Sequence, residues 1–207
     1  MILGYSHLSL STIDMAESEK ALLQQGYERE FLTEKIPNHP AKRQFLGNFE
    51  AFHDIALYSH KTKPTIEVIK HGDTLSPGLG AFGCNGDCVS LRTTSGEDLS
   101  FYTETLSFVQ GDGNATLQIK SPIAAWSLAI NVRETGTTER SNLDSSGYPV
   151  MALWCRKLEE RLDLVKAAGV TECTDPFLVT VNDREIKVAL FRSPGGGIFE
   201  LMEFKSP

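Results

Sequence analysis

The sequence predicts an α+β fold assembled from βαβββ modules, and three observations predict it. The order strand, helix, strand, strand, strand recurs three times along the 207 residues, and a recurrence of this kind organises a fold before any motif does. Gly26 follows His7 by 19 positions, and Gly169 follows Val150 by the same 19. Both outer blocks close on an apolar strand carrying one glutamate: Thr65-Ile66-Glu67-Val68-Ile69 and Ile198-Phe199-Glu200-Leu201-Met202. The blocks fall at residues 1–72, 73–147 and 148–207, the second opening on a loop and degenerate in pattern.

Residues 3–12 alternate as a strand, with Tyr5, His7, Ser9 and Ser11 on one face and Ser6, Leu8 and Leu10 on the other. Thr12 or Asp14 caps a helix whose stripe is Met15, Leu22 and Leu23 and whose stop is Gly26. Residues 27–36 read as a second strand, Asn38-His39-Pro40 as a loop, and 44–46, 52–58 and 64–69 as strands. The glycine-rich passage 76–87 reads as a lid or linker. No Gly-Lys-Ser/Thr follows it, so it is not a phosphate loop. Residues 88–93 form a strand, and Thr94/Ser95 with Glu97/Asp98 marks the start of a helix carrying Leu99, Tyr102 and Leu106. Residues 115–120 and 126–132 are strands, and the polar stretch 134–147 is a linker or mobile loop.

The third block begins with a continuous apolar strand at 150–155. A helix follows over 158–168, presenting Leu158, Leu162 and Val165 and ending at Gly169. Strands at 177–181, 186–191 and 198–204 complete the block, with Asn182-Asp183 as a tight turn. Pro194 and the three glycines after it break regular structure before the last strand. Glu200 then stands on an apolar run, where a carboxylate needs a metal, a basic partner or water.

Composition narrows the function. Apolar residues make up 41% and charged residues 23%, as in ordinary globular proteins. The net charge of −7 removes the electrostatic term behind nonspecific nucleic-acid binding. No apolar run reaches the ~18–20 residues of a membrane span. The N-terminus, Met1-Ile2-Leu3-Gly4-Tyr5-Ser6-His7, lacks the basic region and long apolar core of a signal peptide. A cytoplasmic protein is expected, with no nucleic-acid or membrane partner and with its four cysteines reduced. Cys84 and Cys88 are close in sequence but lack a second Cys/His pair, which favours two small loop residues over a zinc clip.

The chain resembles the vicinal oxygen chelate superfamily, the glyoxalase / bleomycin-resistance protein / dioxygenase group. The resemblance rests on Ser6-His7-Leu8-Ser9-Leu10-Ser11 leading into a helix and Gly26, on Pro64-Thr65-Ile66-Glu67-Val68-Ile69, and on Leu164-Val165-Lys166-Ala167-Ala168-Gly169. Above all it rests on Phe191-Arg192-Ser193-Pro194-Gly195-Gly196 through Phe199-Glu200-Leu201, where Ser193 replaces the family's aspartate. The resemblance implies paired modules curled into a cup-shaped, mostly antiparallel sheet with helices outside. It implies a divalent metal (Zn, Mn, Ni or Fe) held by His7, Glu67 and Glu200, with Val150 at a fourth position where no side chain can ligate. It implies lyase or isomerase chemistry on a small substrate chelated through adjacent oxygens, with Glu67 or Glu200 as the catalytic base.

Two alternatives stand beside this: an extradiol-type dioxygenase, disfavoured by the lack of a second histidine, and a metal-free small-molecule (antibiotic) binding protein, favoured by Val150. Blocks one and three are expected to pair about the site. The other arrangement pairs blocks two and three and leaves block one to find its partner in a homodimer. His53, His60 and His71 are read as surface residues, and Cys88 as packing. Trp126, Trp154 and Tyr148 are read as core that could line a cavity, and Arg192 as a salt-bridge partner rather than an anion site.

Overall fold

The computed structural model describes residues 1–86, 88–93, 98–111, 116–122, 127–134 and 140–204. The first block contains β1 (Ile2–Ser11), α1 (Met15–Gln24), β2 (Glu28–Pro37), a 3-10 helix (Pro40–Phe45), β3 (Phe52–Ser59) and β4 (Ile66–Lys70). Then come β5 (Ser76–Leu79), β6 (Phe82–Asn85), β7 (Cys88–Thr93), α2 (Asp98–Ser100), β8 (Val109–Gln110), β9 (Thr116–Lys120) and β10 (Ser127–Glu134). The last block is β11 (Ser145–Cys155), α3 (Leu158–Ala167), β12 (Phe177–Val181), β13 (Arg184–Arg192) and β14 (Ile198–Phe204). Among the described residues no helix is long and apolar enough to cross a membrane.

One pairing scheme recurs in every block. The strand before the helix lies parallel to the last strand: β1 beside β4, β7 beside β10, β11 beside β14. From there the strands step outward antiparallel, through β3 to β2, β9 to β8, and β13 to β12. The middle block keeps this scheme although its helix is three residues long and runs on as a π turn, Phe101–Thr105. β1 and β11 pair antiparallel and join blocks one and three directly. The result is a large curved mixed sheet in which antiparallel pairs prevail, an α+β fold as expected. The middle block attaches to it through β6, beside Tyr148 of β11.

The two faces of the joined sheet differ. One packs the larger core: Leu8, Ile66, Val68, Met151, Leu153 and Leu201 meet Leu22 of α1, Leu162 and Val165 of α3, and Phe82, Leu91 and Tyr102 of the middle block. Phe191 and Phe199 stack there with centroids 5.5 Å apart, and Phe82 meets Phe199 edge-on. Burying side chains of this size stabilises by ~1.5–3 kcal/mol each, which explains the near-continuous apolar runs of β11, β13 and β14. The opposite face holds a cavity. Val181 of β12 packs against Ile36, Ile55 and Ile69 of the first block and so draws the two rims together.

The helices begin for different reasons. Asp14 caps α1 by accepting from the Glu17 amide at 3.0 Å, and Gly26 ends it at φ +85°. Lys157, before α3, sits at φ +57° and offers no side-chain cap. The Glu203 carboxylate of β14 takes over, accepting from the Lys157 and Leu158 amides.

Four expectations change. Register slips between Tyr5 and His7, and a bulge of this kind re-aims the side chains beyond it. Tyr5 therefore enters the core with Leu8, while His7 and Ser9 face the cavity. Residues 44–46 end the 3-10 helix rather than form a strand. His39 caps that helix from the Ala41 amide (3.2 Å), and Pro40 fills a first turn that needs no N–H. The glycine-rich passage contains β5 and β6, and β5 pairs with Ser145 and Ser146. A Cβ at Gly80 would lie 2.3 Å from the Tyr148 carbonyl carbon, so the glycine answers to a close backbone approach. Finally, residues 140–147 are tied down. The buried Asp144 carboxylate accepts from the Gly47 and Asn48 amides (2.9 and 3.0 Å) and the Ser76 hydroxyl (2.7 Å). Residues 135–139, Thr94–Glu97 and Trp126 lie outside the described residues.

Arg192 is a salt-bridge partner, as expected. Its Nε lies 3.1 Å from Glu172 Oε2, and its Nη1 donates to the Ser141 and Gly196 carbonyls at 2.7 and 3.1 Å. Arg192→Ala leaves two carbonyls without their donor and is expected to lower stability by about 2 kcal/mol. The check is a urea midpoint that falls at constant m.

Candidate metal centre

One side chain each from β1, β4 and β14 converges in the cavity. Ligand atoms of His7, Glu67 and Glu200 all lie within 4.8 Å of one another. His7 Nε2 is 3.2 Å from Glu67 Oε2 and 3.8 Å from Glu200 Oε2, and no side chain of the three is more than 14% exposed.

Strand register brings them together. Ser9 lies beside Glu67 in the β1–β4 pair, and Ala152 beside Glu200 in the β11–β14 pair. Across β1–β11, His7 faces Ala152 and Ser9 faces Val150. A local two-fold therefore relates the halves, with Ala152 in the place of Ser9 and the buried Val150 in the place of His7. The spacing seen in the sequence has become a geometric equivalence, and the fourth position is apolar.

This inequality sets the charges. Ser9 Oγ donates to Glu67 Oε2 at 2.9 Å. Burial pushes the Glu67 carboxyl up, but His7, Ser9 and Lys42 together outweigh it and hold the group below the usual carboxylate range. Ala152 can donate nothing to Glu200. Burial, then the Glu67 charge, push Glu200 up to about 7, with His7 and Lys42 pulling the other way. Burial opposes protonation of His7, yet the two carboxylates raise its pKa above the ordinary value. His7 Nδ1 lies 3.1 Å from Ser6 Oγ, which leaves Nε2 directed at the carboxylates.

Three further polar residues line the same cavity: Lys42 from the 3-10 helix, His53 on β3 and His71 just after β4. His53 and His71, read from the sequence as surface residues, are 2% and 5% exposed. Strand alternation puts His53, Ile55 and Leu57 on one face, and Glu67, Ile69 and His71 on one face. Antiparallel pairing of β3 with β4 then stacks the two imidazoles at 5.5 Å. His60, also read as a surface residue, is half-buried beside Tyr27 (centroids 5.1 Å apart) and accepts from the Thr62 and Lys63 amides. The cavity holds about 450 Å³, and its remaining wall includes Ile55, Leu57, Val150, Val188 and Met202.

Trp154 lines the cavity too, stacked on Phe204 at 4.1 Å, whereas Tyr148 packs against the larger core. Cys88 was expected to pack but is exposed, and it accepts from Asn131 Nδ2 at 3.0 Å. All four cysteines are free, and among the described residues no third ligand joins Cys84 and Cys88. Arg192 lies away from this cavity, beside Glu172.

The donor set fits a divalent cation. Two carboxylates facing each other in a buried space repel, and a dication shared with an imidazole cancels that repulsion. His7, Glu67 and Glu200 meet within one chain, because blocks one and three pair there.

No family model and no curated protein matches the chain. Solved structures do. Glyoxalase I from Zea mays is 16% identical at a TM-score of 0.40, covering 97% of this chain and 67% of its own. A virulence protein from Salmonella typhimurium is 16% identical at 0.41, covering 56% of this chain and 93% of its own. An integron cassette protein from V. cholerae is 18% identical at 0.42, covering 64% and 98%. This chain spans about two thirds of the length of the maize enzyme. By its own strand pairings the chain joins its first and last βαβββ blocks edge to edge through β1 and β11, the paired-module architecture that the sequence resemblance implies.

Proposed function

We infer that the chain is a metal-dependent enzyme of lyase or isomerase type, with a divalent cation on His7, Glu67 and Glu200 and with Glu200 as its base. The observation that carries this reading is the convergence of one imidazole and two buried carboxylates within 4.8 Å. A bound cation supplies Lewis acidity toward two adjacent substrate oxygens.

The chain's own residues divide the rest of the work. Glu67, kept ionised by His7 and Ser9, is the fixed anchor. Ser6 holds the His7 ring with Nε2 turned inward. Glu200 is free of hydroxyl donors among the described residues, so its carboxylate keeps its lone pairs for taking a proton from a carbon beside a carbonyl. The same carboxyl returns the proton at the neighbouring atom. Val150 and the apolar wall exclude water from that exchange. Ring-cleaving dioxygenase chemistry uses a second imidazole, and Val150 stands at the equivalent position. A metal-free binding protein would draw on the apolar wall but would leave two carboxylates facing each other.

Metal analysis by mass spectrometry of the purified protein tests the reading. About one divalent ion per chain is expected, with thermal stability that rises on adding Mn²⁺, Ni²⁺ or Zn²⁺. A metal-free protein indifferent to all three overturns it. Ser9→Ala, which removes the donor to Glu67, is expected to weaken metal binding roughly 10–100-fold while leaving it measurable by competition titration.

A further inference from the structure

Lys42, His53 and His71 make a second polar pole in the cavity that the proton transfer above does not use. Lys42 is 7% exposed, and among the described residues its ammonium makes no hydrogen bond and no ion pair within 4 Å. None of the four ring nitrogens of His53 and His71 is hydrogen-bonded, and all four are shut off from solvent. An unmade buried hydrogen bond costs about 1–3 kcal/mol, so three such side chains around one cavity mark a place for a ligand. Burial, then the Lys42 charge, lower both imidazoles, to about 2 and about 3. Each ring is therefore neutral at pH 7 and offers one N–H.

Burial holds the Lys42 ammonium below its ordinary range, and Glu200 and Glu67 pull the other way. Asp144 acts on His71, but its oxygens are taken by Gly47, Asn48 and Ser76. A dication on His7, Glu67 and Glu200 would neutralise those two glutamates, and a ligand's carboxylate would then be the counter-charge that keeps the buried Lys42 as an ammonium. Arg184, the other cation of the lining, is exposed on the β12–β13 turn. One ammonium and two neutral donors match a monoanion, and a phosphate dianion would need more charge than they supply.

We propose that this pole binds a carboxylate, so that the substrate is a small organic monoanion with an apolar body. Its carboxylate pairs with Lys42 and, when the two imidazoles turn toward it, accepts from His53 and His71, its body lies against Ile55, Ile69 and Val188, and its reacting oxygens reach the metal centre. His71, just past the end of β4, is four residues from Glu67, roughly 13 Å of extended backbone, so the substrate is extended. The proposal rests on the metal reading for its reacting end and its charge balance.

The test is calorimetric titration of the Mn²⁺-loaded protein with 4-phenylbutyrate and with its neutral analogue 4-phenylbutan-1-ol. Wild type is expected to prefer the carboxylate at least tenfold. Lys42→Met loses the preference but keeps a thermal shift with Mn²⁺, and Lys42→Arg restores it. His53→Leu, a second variant that leaves the lysine in place, weakens carboxylate binding about tenfold. Equal binding of both probes by wild type overturns the proposal, as does a preference that survives Lys42→Met. Wild type that shows no Mn²⁺ shift yet prefers the carboxylate through Lys42 overturns the metal reading and leaves the carboxylate pole standing.

Discussion

Glu67→Gln is expected to abolish useful metal binding, with a loss exceeding the roughly 10–100-fold that follows from removing a ligand's hydrogen-bond partner. Of the two carboxylates in the proposed site, Glu67 is the one whose charge the surroundings protect, with His7 at 3.2 Å and Ser9 at 2.9 Å. The amide is nearly isosteric, so the fold is kept while one negative charge is lost. A metal at 100 times its dissociation constant stabilises the folded state by about 2.7 kcal/mol, or roughly 5–10 °C for a chain of this size. The wild type should show that rise with Mn²⁺ and the variant should show none at the same concentration. Turnover of any substrate should fall with it. A variant that kept the wild-type thermal response would remove Glu67 from the ligand set and leave its buried charge without a purpose in this reading.

The convergence of His7, Glu67 and Glu200 was legible in the sequence because repetition reports on three-dimensional equivalence. The equal spacing of His7 to Gly26 and Val150 to Gly169 maps β1 onto β11, and the register confirms it residue by residue, through Ser9 to Ala152 and His7 to Val150. Periodicity likewise carried α1, α3 and most strands of the outer blocks. What escaped depends on contacts far away in the chain. No glycine or proline marks the bulge after Tyr5, so the alternation read straight through it. His53 and His71 gain their shared face only when β3 and β4 are paired, although His71 stands an even number of residues from Glu67 and could have been placed with it. Lys42 sits on a 3-10 helix announced by a capping His39 and a first-turn Pro40, a start signal that was available and was read as a loop. β5 and β6 lie in a passage whose glycines serve close backbone approach as well as turning, and composition alone does not separate the two.

Glu200→Gln is expected to make the metal-free protein more stable at pH 8, while removing its response to metal. The carboxyl is pushed up to about 7 in the folded state by burial and by Glu67, against an ordinary value of 4.5. Below about pH 4.5 it is protonated in both folded and unfolded chains and contributes no difference. As pH rises from there to 7, the unfolded chain gives up its proton first, and folded stability falls. Above 7 the full penalty stands, on the order of 3 kcal/mol. The amide cannot ionise, so the penalty is absent at every pH. In chelator at pH 8 the variant should melt roughly 5–10 °C above wild type, and near pH 4 the two should coincide. Added Mn²⁺ reverses the order, because wild type then gains the stabilisation that the variant cannot. The same proton must leave when metal binds, so wild-type affinity should fall as pH drops below 7. A variant no more stable than wild type in chelator at pH 8 would show that Glu200 bears no burden in the metal-free fold, and the case for an uncompensated carboxylate beside Ala152 would go with it. If the crossing of the two curves is found, a strained carboxylate beside Ala152 is the cost of a reactive base, and Ser9 on the other half-site marks where that cost is relieved.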